Sequence, residues 1–282
     1  MTFKTILACI QSEETAPNVI DWAVAMAGAH QAHLVGLHLQ GVFPVFADVR
    51  FGGVRRSIII AQMNLPVQDK AERMGAHFAG KLKSLPLSSE WRCPAVNFGR
   101  FAELLVQEAQ SADLIICAQN TEADDEDTGV NLAEMLVMGT GRPVLILPKK
   151  AAPANIPNRV MVAWNNTREA TRAVFDSIPL LKQASNSRIL TVIEDERDRA
   201  TSKKASRQLS DSLVRHGVEA EIDMSVLSEG SISGALMRSL TDNNCNLLVM
   251  GCYGHSHFRE IVLGGASRDM LRDLSIPVLM AH

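Results

Sequence analysis

Four glycines and a serine form the part of this 282-residue chain best suited to chemistry. Gly251 and Gly254 follow the apolar run Leu247 to Met250, and after nine intervening residues Gly264 and Gly265 open a segment of helical period carrying Ala266 and Ser267. A phosphate needs backbone N–H groups at close range, so side chains must be absent where it sits. It gains further from a helix N-terminus, whose unpaired N–H groups and dipole favour an anion. Glycines at a strand end and again at a helix start supply both.

The same loop holds donors for a second chemistry. Cys252, His255 and His257 have the donor types for zinc, with His282 as a possible fourth ligand. The simpler reading makes them loop residues near a pocket, and no metal site is assigned. No strained Ser elbow, no Walker lysine loop and no His-Glu-x-x-His pattern is present, so no nucleophile and base are identified.

The elements that must position the loop come in two copies. Thr5–Ile10, followed by polar residues from Gln11, matches Arg159–Trp164, followed by Asn165 and Asn166. Pro143 to Leu147 matches Pro277 to Ala281, and Leu114-Ile115-Ile116 matches Leu248-Val249-Met250 at the same offset as the prolines. The segment Pro148 to Pro157, with three prolines, reads as a linker. The expected domains are therefore 1–150 and 158–282.

Within each copy, apolar runs alternate with helix-period segments, which predicts a parallel sheet with helices on both faces. Strands are expected near Lys4–Ile10, His33–Leu39, Trp91–Phe98, Leu114–Ala118 and Val144–Leu147, then near Arg159–Trp164, Arg188–Ile193, Glu219–Val226, Leu247–Gly251 and Val278–Ala281. Helices are expected near Ala16–Ala29, Gln68–Leu85, Phe101–Ser111 and Asn131–Met138, then near Thr167–Gln183, Arg199–His216, Ile232–Asp242 and Ala266–Leu274. The first copy carries extra residues at Gly41 to Pro66. They fit a lid, a segment docked on the other domain, or a surface loop with a helix on its own domain.

The spacing of Gly251, Gly254 and Gly264 resembles the nucleotide loop of the universal stress protein family. The resemblance covers both copies and implies two tandem flavodoxin-like α/β domains, each a five-stranded parallel sheet in the order 3-2-1-4-5. It implies an adenine nucleotide, ATP or AMP, in the second domain, held by Ala163, Asn165, Val192, Gly251, Gly254, Gly264, Gly265, Ala266 and Ser267. Gly265 departs from the family's hydroxyl residue, and Asn165 stands where an aspartate is usual. Asn165 hydrogen-bonds but brings no charge. Such proteins act as stress sensors or regulators, with slow ATP hydrolysis at most, and pack as dimers, a packing that two copies in one chain would satisfy internally.

The first copy lacks these features. On the sequence alignment, Cys117, Asn120 and Val130 stand against Gly251, Gly254 and Gly264, and Gln11 stands against Asn165. The carboxylates Glu122, Asp124, Asp125, Glu126 and Asp127 crowd the same loop and repel phosphate. At most one nucleotide per chain is therefore expected. Gln11, Asn165 and Gly265 also favour a second reading, a carrier of a non-nucleotide ligand or metal that uses the interdomain groove and the Phe43-to-Ile60 insertion; a third reading is an interaction scaffold with vestigial sites.

Composition sets outer bounds. Hydrophobic residues make up 46% and charged residues 21%, enough apolar material for two cores. The net charge of −3 argues against a broad nucleic-acid surface. No apolar run reaches the ~18 residues of a membrane helix, so no membrane insertion is expected. Five scattered cysteines fit a reducing, cytoplasmic setting. His30, His33 and His38 read as structural.

Overall fold

The computed structural model describes residues 2–42, 53–120, 131–150, 154–227, 230–252, 270–271 and 274–282. The first half contains β1 (Thr5–Cys9), α1 (Ala16–His30), β2 (His33–Leu37), β3 (Gln40–Val42), α2 (Gly53–Leu82), β4 (Ser89–Arg92), β5 (Ala95–Asn97), α3 (Phe101–Ala109), β6 (Leu114–Ala118), α4 (Leu132–Thr140) and β7 (Val144–Leu147). The second contains β8 (Arg159–Ala163), α5 (Arg168–Asp176), α6 (Ile178–Leu181), β9 (Asn186–Ile193), α7 (Arg199–Arg215), β10 (Glu221–Val226), α8 (Ile232–Asp242), β11 (Leu247–Gly251) and β12 (Val278–Ala281).

Ten strands form one sheet, in the order β10-β9-β8-β11-β12-β7-β6-β1-β2-β4. Each half reads 3-2-1-4-5 with parallel neighbours, as expected for two flavodoxin-like units. The halves meet at an antiparallel pair, β7 with β12, the one such pair among the described strands. There Leu145 lies opposite Leu279, and Val144 and Ile146 lie opposite Met280 and Val278. Leu145 and Leu279 are the second residues after the matched prolines, so the pair relates the halves as an isologous contact relates two subunits. Both otherwise open edges are consumed inside one chain, which blunts a pairing hazard.

Strands buried on both faces read as continuous apolar runs, and alternate residues feed opposite layers. Leu145, Leu147, Val160, Val162, Leu279 and Ala281 belong to one layer of the core. Val144, Ile146, Met161, Val278 and Met280 belong to the other. Each layer runs through both halves. Among the described residues, no helix is long and apolar enough to cross a membrane.

Several expected boundaries move, each for a local reason. The expected strand Trp91–Phe98 divides at Cys93-Pro94, because proline cannot donate to the ladder. Beyond it, β5 leaves the main sheet and pairs with β3. The expected helix Thr167–Gln183 breaks at Ser177, and Pro179 sits in the first turn of α6, where its missing N–H costs nothing. Helix α2 starts at Gly53, far upstream of the expected Gln68, and carries Pro66 inside it. It docks on its own half: Met74, Phe78 and Leu82 enter the core, Arg73 pairs with Glu13 at 2.7 Å, and Lys81 with Asp21 at 2.6 Å. The rest of the insertion, 43–52, lies outside the described residues.

The alignment of the two copies also shifts by one residue. Asp113 Oδ2 accepts the backbone N–H groups of Lys4 and Thr5 at 2.7 and 3.0 Å. Asn246 Oδ1 does the same for Asn158 and Arg159 at 3.1 and 3.0 Å. Leu114 pairs with Ile6, and Leu247 with Val160. The match of Leu114 is therefore Leu247, not Leu248. The first-half counterpart of Gly251 is Ala118, not Cys117.

Gly36, in β2, is a packing glycine. A Cβ there would lie 2.6 Å from Trp91 Cε3 and 2.8 Å from Phe78 Cε2. Rigid rings cannot turn away from it. Gly36→Ala should therefore cost about 1–3 kcal/mol by overpacking, read as a lower urea midpoint. An unchanged midpoint would show that Trp91 does not cover this strand.

Candidate functional site

In each half the first and fourth strands are neighbours whose connections leave toward opposite faces. That opens a crevice beyond their carboxyl ends. In the second half the strands at the crevice are β8 and β11, with β9 beside β8. Ala163 ends β8 opposite Met250, and Gly251 ends β11 opposite Ala281. Ala163 and Val192 are half-buried against the same core layer. Asn165 is exposed two residues beyond β8. The fold thus brings Ala163, Asn165, Val192 and Gly251 to one end of three adjacent strands. Gly254, Gly264, Gly265, Ala266 and Ser267 lie outside the described residues, as do His255 and His257.

The chain turns sharply after β8. Asn166 has φ +58°, a left-handed conformation that asparagine tolerates better than most residues. Thr167 then caps α5, its Oγ1 accepting from Ala170 N at 3.3 Å. The same hydroxyl donates to Asn165 Oδ1 at 2.9 Å. Asn165 is therefore held by its acceptor end, and its Nδ2 donor has no partner among the described residues. An aspartate would have no such donor.

Gly251 has a role that its spacing did not reveal. A Cβ on it would lie 2.3 Å from Ala170 N and 2.5 Å from Glu169 C. The missing side chain lets the first turn of α5 rest directly on β11. Beyond it, Cys252 is fully buried and donates its N–H to Ala281 O at 2.9 Å. His282 donates from Nδ1 to Cys252 O at 3.1 Å. The first and last residues of the glycine segment's flanks are thereby tied together. Trp164 was not singled out from sequence. It is 7% exposed, and its indole Nε1 is buried with no hydrogen-bond partner among the described residues. The available signal was an indole where the first half has Ile10.

The first half fills the corresponding place differently. Two first-turn N–H groups of α4 are already taken: Leu132 N donates to Asn120 Oδ1 at 3.0 Å, and Glu134 N to Asn131 Oδ1 at 3.0 Å. A helix N-terminus capped by its own asparagines has fewer free donors for an anion. Glu134 adds a carboxylate in the first turn. Cys9 and Cys117 are buried here. Burial pushes the Cys9 thiol up to about 12 and the Cys117 thiol well above its usual value. Such thiols are poor nucleophiles. The acidic run itself, 122–127, lies outside the described residues.

His30, His33 and His38 have structural partners. His38 is buried and donates from Nδ1 to Ile10 O at 2.8 Å; burial lowers its pKa to about 4. His33 Nδ1 lies 2.7 Å from Ser88 Oγ. His30 packs edge-on against Phe3 and meets Gln183 of the other half at 3.5 Å.

A sequence profile of the universal stress protein family matches residues 157–282, the half with the glycine loop. This segment belongs to the universal stress protein family. Universal stress protein Slr1230 of Synechocystis is 39% identical over 67 residues. That match spans 24% of this chain and 22% of the cyanobacterial protein, so the chain covers about a fifth of that relative's length. Solved structures resemble the whole chain. A universal stress protein from Archaeoglobus fulgidus superimposes with a TM-score of 0.72 at 17% identity, covering 98% of this chain and 97% of its own. A second, assigned as a putative universal stress protein of Pseudomonas aeruginosa, gives 0.62 at 14% identity, covering 99% and 93%. At such identities the likeness establishes the fold.

Proposed function

We propose that the chain is a tandem universal stress protein, with domains 1–150 and 158–282, that binds one adenine nucleotide, ATP or AMP, in the second domain. The ligand site comprises Ala163, Asn165, Val192, Gly251, Gly254, Gly264, Gly265, Ala266 and Ser267. Binding serves a sensing or regulatory role in stress response, in the cytoplasm. The observation that carries this reading is the convergence of Ala163, Asn165, Val192 and Gly251 at the switch point from which the glycine loop departs. The capped N-terminus of α4 supports the restriction to one half.

Each group has a task. Glycine backbone N–H groups and the helix start receive phosphate oxygens. Asn165 Nδ2 offers a neutral donor to the ribose or base. Val192 supplies backbone at the end of β9 for the base edge. The variant that tests the cradle is Gly254→Val. Loss of one charge-assisted hydrogen bond is worth ~1.5–3 kcal/mol, so ATP affinity should fall at least about tenfold, while the thermal midpoint holds. Unchanged affinity at unchanged stability would remove the loop from the ligand site.

A further inference from the structure

Two side-chain hydrogen bonds cross between the halves and bear on the helices that flank the crevice. Gln119, the residue after β6, donates from Nε2 to Leu271 O at 3.0 Å, in a buried setting. Leu271 lies in the helical turn that follows the glycine segment. Arg172, on α5, donates from Nη2 to Gly141 O at 2.7 Å, the carbonyl of the residue that ends α4. A cation at a helix C-terminus is favourably placed. Gln119 thus fixes the helical turn at Met270 and Leu271, and Arg172 fixes α5, whose first turn rests on Gly251.

The pseudo-symmetry changes both donors. With the register set by Asp113 and Asn246, Cys252 stands where the other half has Gln119, and it carries a short thiol in place of a long amide. Asn18 stands where the other half has Arg172, and it reaches Pro148 O at 3.5 Å, at the start of its own linker. In an ordinary two-fold dimer both bonds would occur twice. Here the long amide of Gln119 and the guanidinium of Arg172 make the two bonds that bear on the loop-bearing half.

We infer that the first half is a built-in brace: Gln119 and Arg172 hold the two helices flanking the second half's crevice, and so pre-organise it for its ligand. Gln119 and Arg172 are positioning residues and touch no ligand. The ordering cost of a ligand site is smaller when its walls are held beforehand. The claim about ligand affinity rests on the nucleotide reading above; the claim about helix order does not.

The test is hydrogen exchange on the full chain, wild type against Gln119→Met, which keeps the side chain's length and removes its donor. Peptides covering 270–282 should exchange at least about tenfold faster in the variant, while those covering β1 and β2 keep their rates. Exchange at 270–282 that stays unchanged overturns the brace. If Gln119→Met lowers the midpoint globally, Gln119→Glu serves as the second variant. Its carboxylate cannot donate at neutral pH, and the same local loosening is expected, with partial recovery once it is protonated. ATP titration of the same proteins should show affinity several-fold weaker for Gln119→Met. Faster exchange in a chain whose wild type binds no ATP would leave the brace standing and remove the nucleotide reading.

Discussion

Gly251→Ala should destabilise the whole chain by about 3 kcal/mol, the upper part of the range for overpacking. The added Cβ would sit 2.3 Å from Ala170 N and 2.8 Å from Ala170 Cα. Those are backbone atoms in the first turn of a capped helix, so no rotamer change relieves the contact. Either α5 lifts off β11 or the strand end bends. Both disturb a core layer containing Ala170, Ala173 and Val174. The measurement is urea unfolding, in which a lower midpoint at an unchanged slope reports stability alone. The first half supplies the control. Ala118 occupies the matching place there, and Ala118→Gly should cost only about 1 kcal/mol for chain entropy. A Gly251→Ala variant of native stability but weakened ATP binding would assign this glycine to the phosphate alone and contradict the packing role.

The second large effect is acid sensitivity from His38. Burial lowers its pKa from 6.5 to about 4, and the nearby Lys70 charge pushes the same way, against the Ile10 carbonyl bond. A depressed folded pKa means that the unfolded chain binds the proton more tightly. The stability linked to His38 is therefore full above pH 6.5 and is lost as pH falls toward 4. The whole shift corresponds to about 3 kcal/mol, and about 2 kcal/mol of it is gone by pH 5. His30, also lowered by burial, adds in the same direction. His38→Gln keeps a donor for the Ile10 carbonyl and does not titrate. Between pH 7.5 and pH 5 the wild type should lose about 2 kcal/mol more than the variant, by urea unfolding at both values. Equal losses would mean that His38 is protonated in the fold as easily as in the unfolded chain.

The sheet was readable because its strands are buried on both faces. Runs such as Leu114–Ala118 and Val144–Leu147 stand out, and the proline before each final strand marks the repeat. The register between copies was not readable. Leu114-Ile115-Ile116 aligns equally well with Leu247-Leu248-Val249 and with Leu248-Val249-Met250. What decides it is polar: Asp113 and Asn246 each accept two backbone N–H groups from the edge of the first strand. In sequence they are one Asp and one Asn in front of an apolar run.

The candidate site was legible at its strand ends and less so in its reasons. Asn165 and Gly251 were found from position, and the fold places them at one crevice. The reason for Gly251 lies in a contact with α5, which no local pattern announces. In sequence, the carboxylates at 122–127 are what disfavour a phosphate in the first half. The structure adds Asn120 and Asn131, whose side chains occupy the N–H groups that a phosphate would use. Asn120 caps a helix that begins a dozen residues later, a distance at which sequence spacing carries no signal.

Calorimetric titration of the intact chain with ATP tests the central claim most directly. The chain must be whole, because separated halves would expose the β7 and β12 edges that now pair with each other. One binding site per chain is the predicted result, lost or at least tenfold weaker in Gly254→Val. Two sites per chain, or binding that Gly254→Val leaves intact, would contradict it.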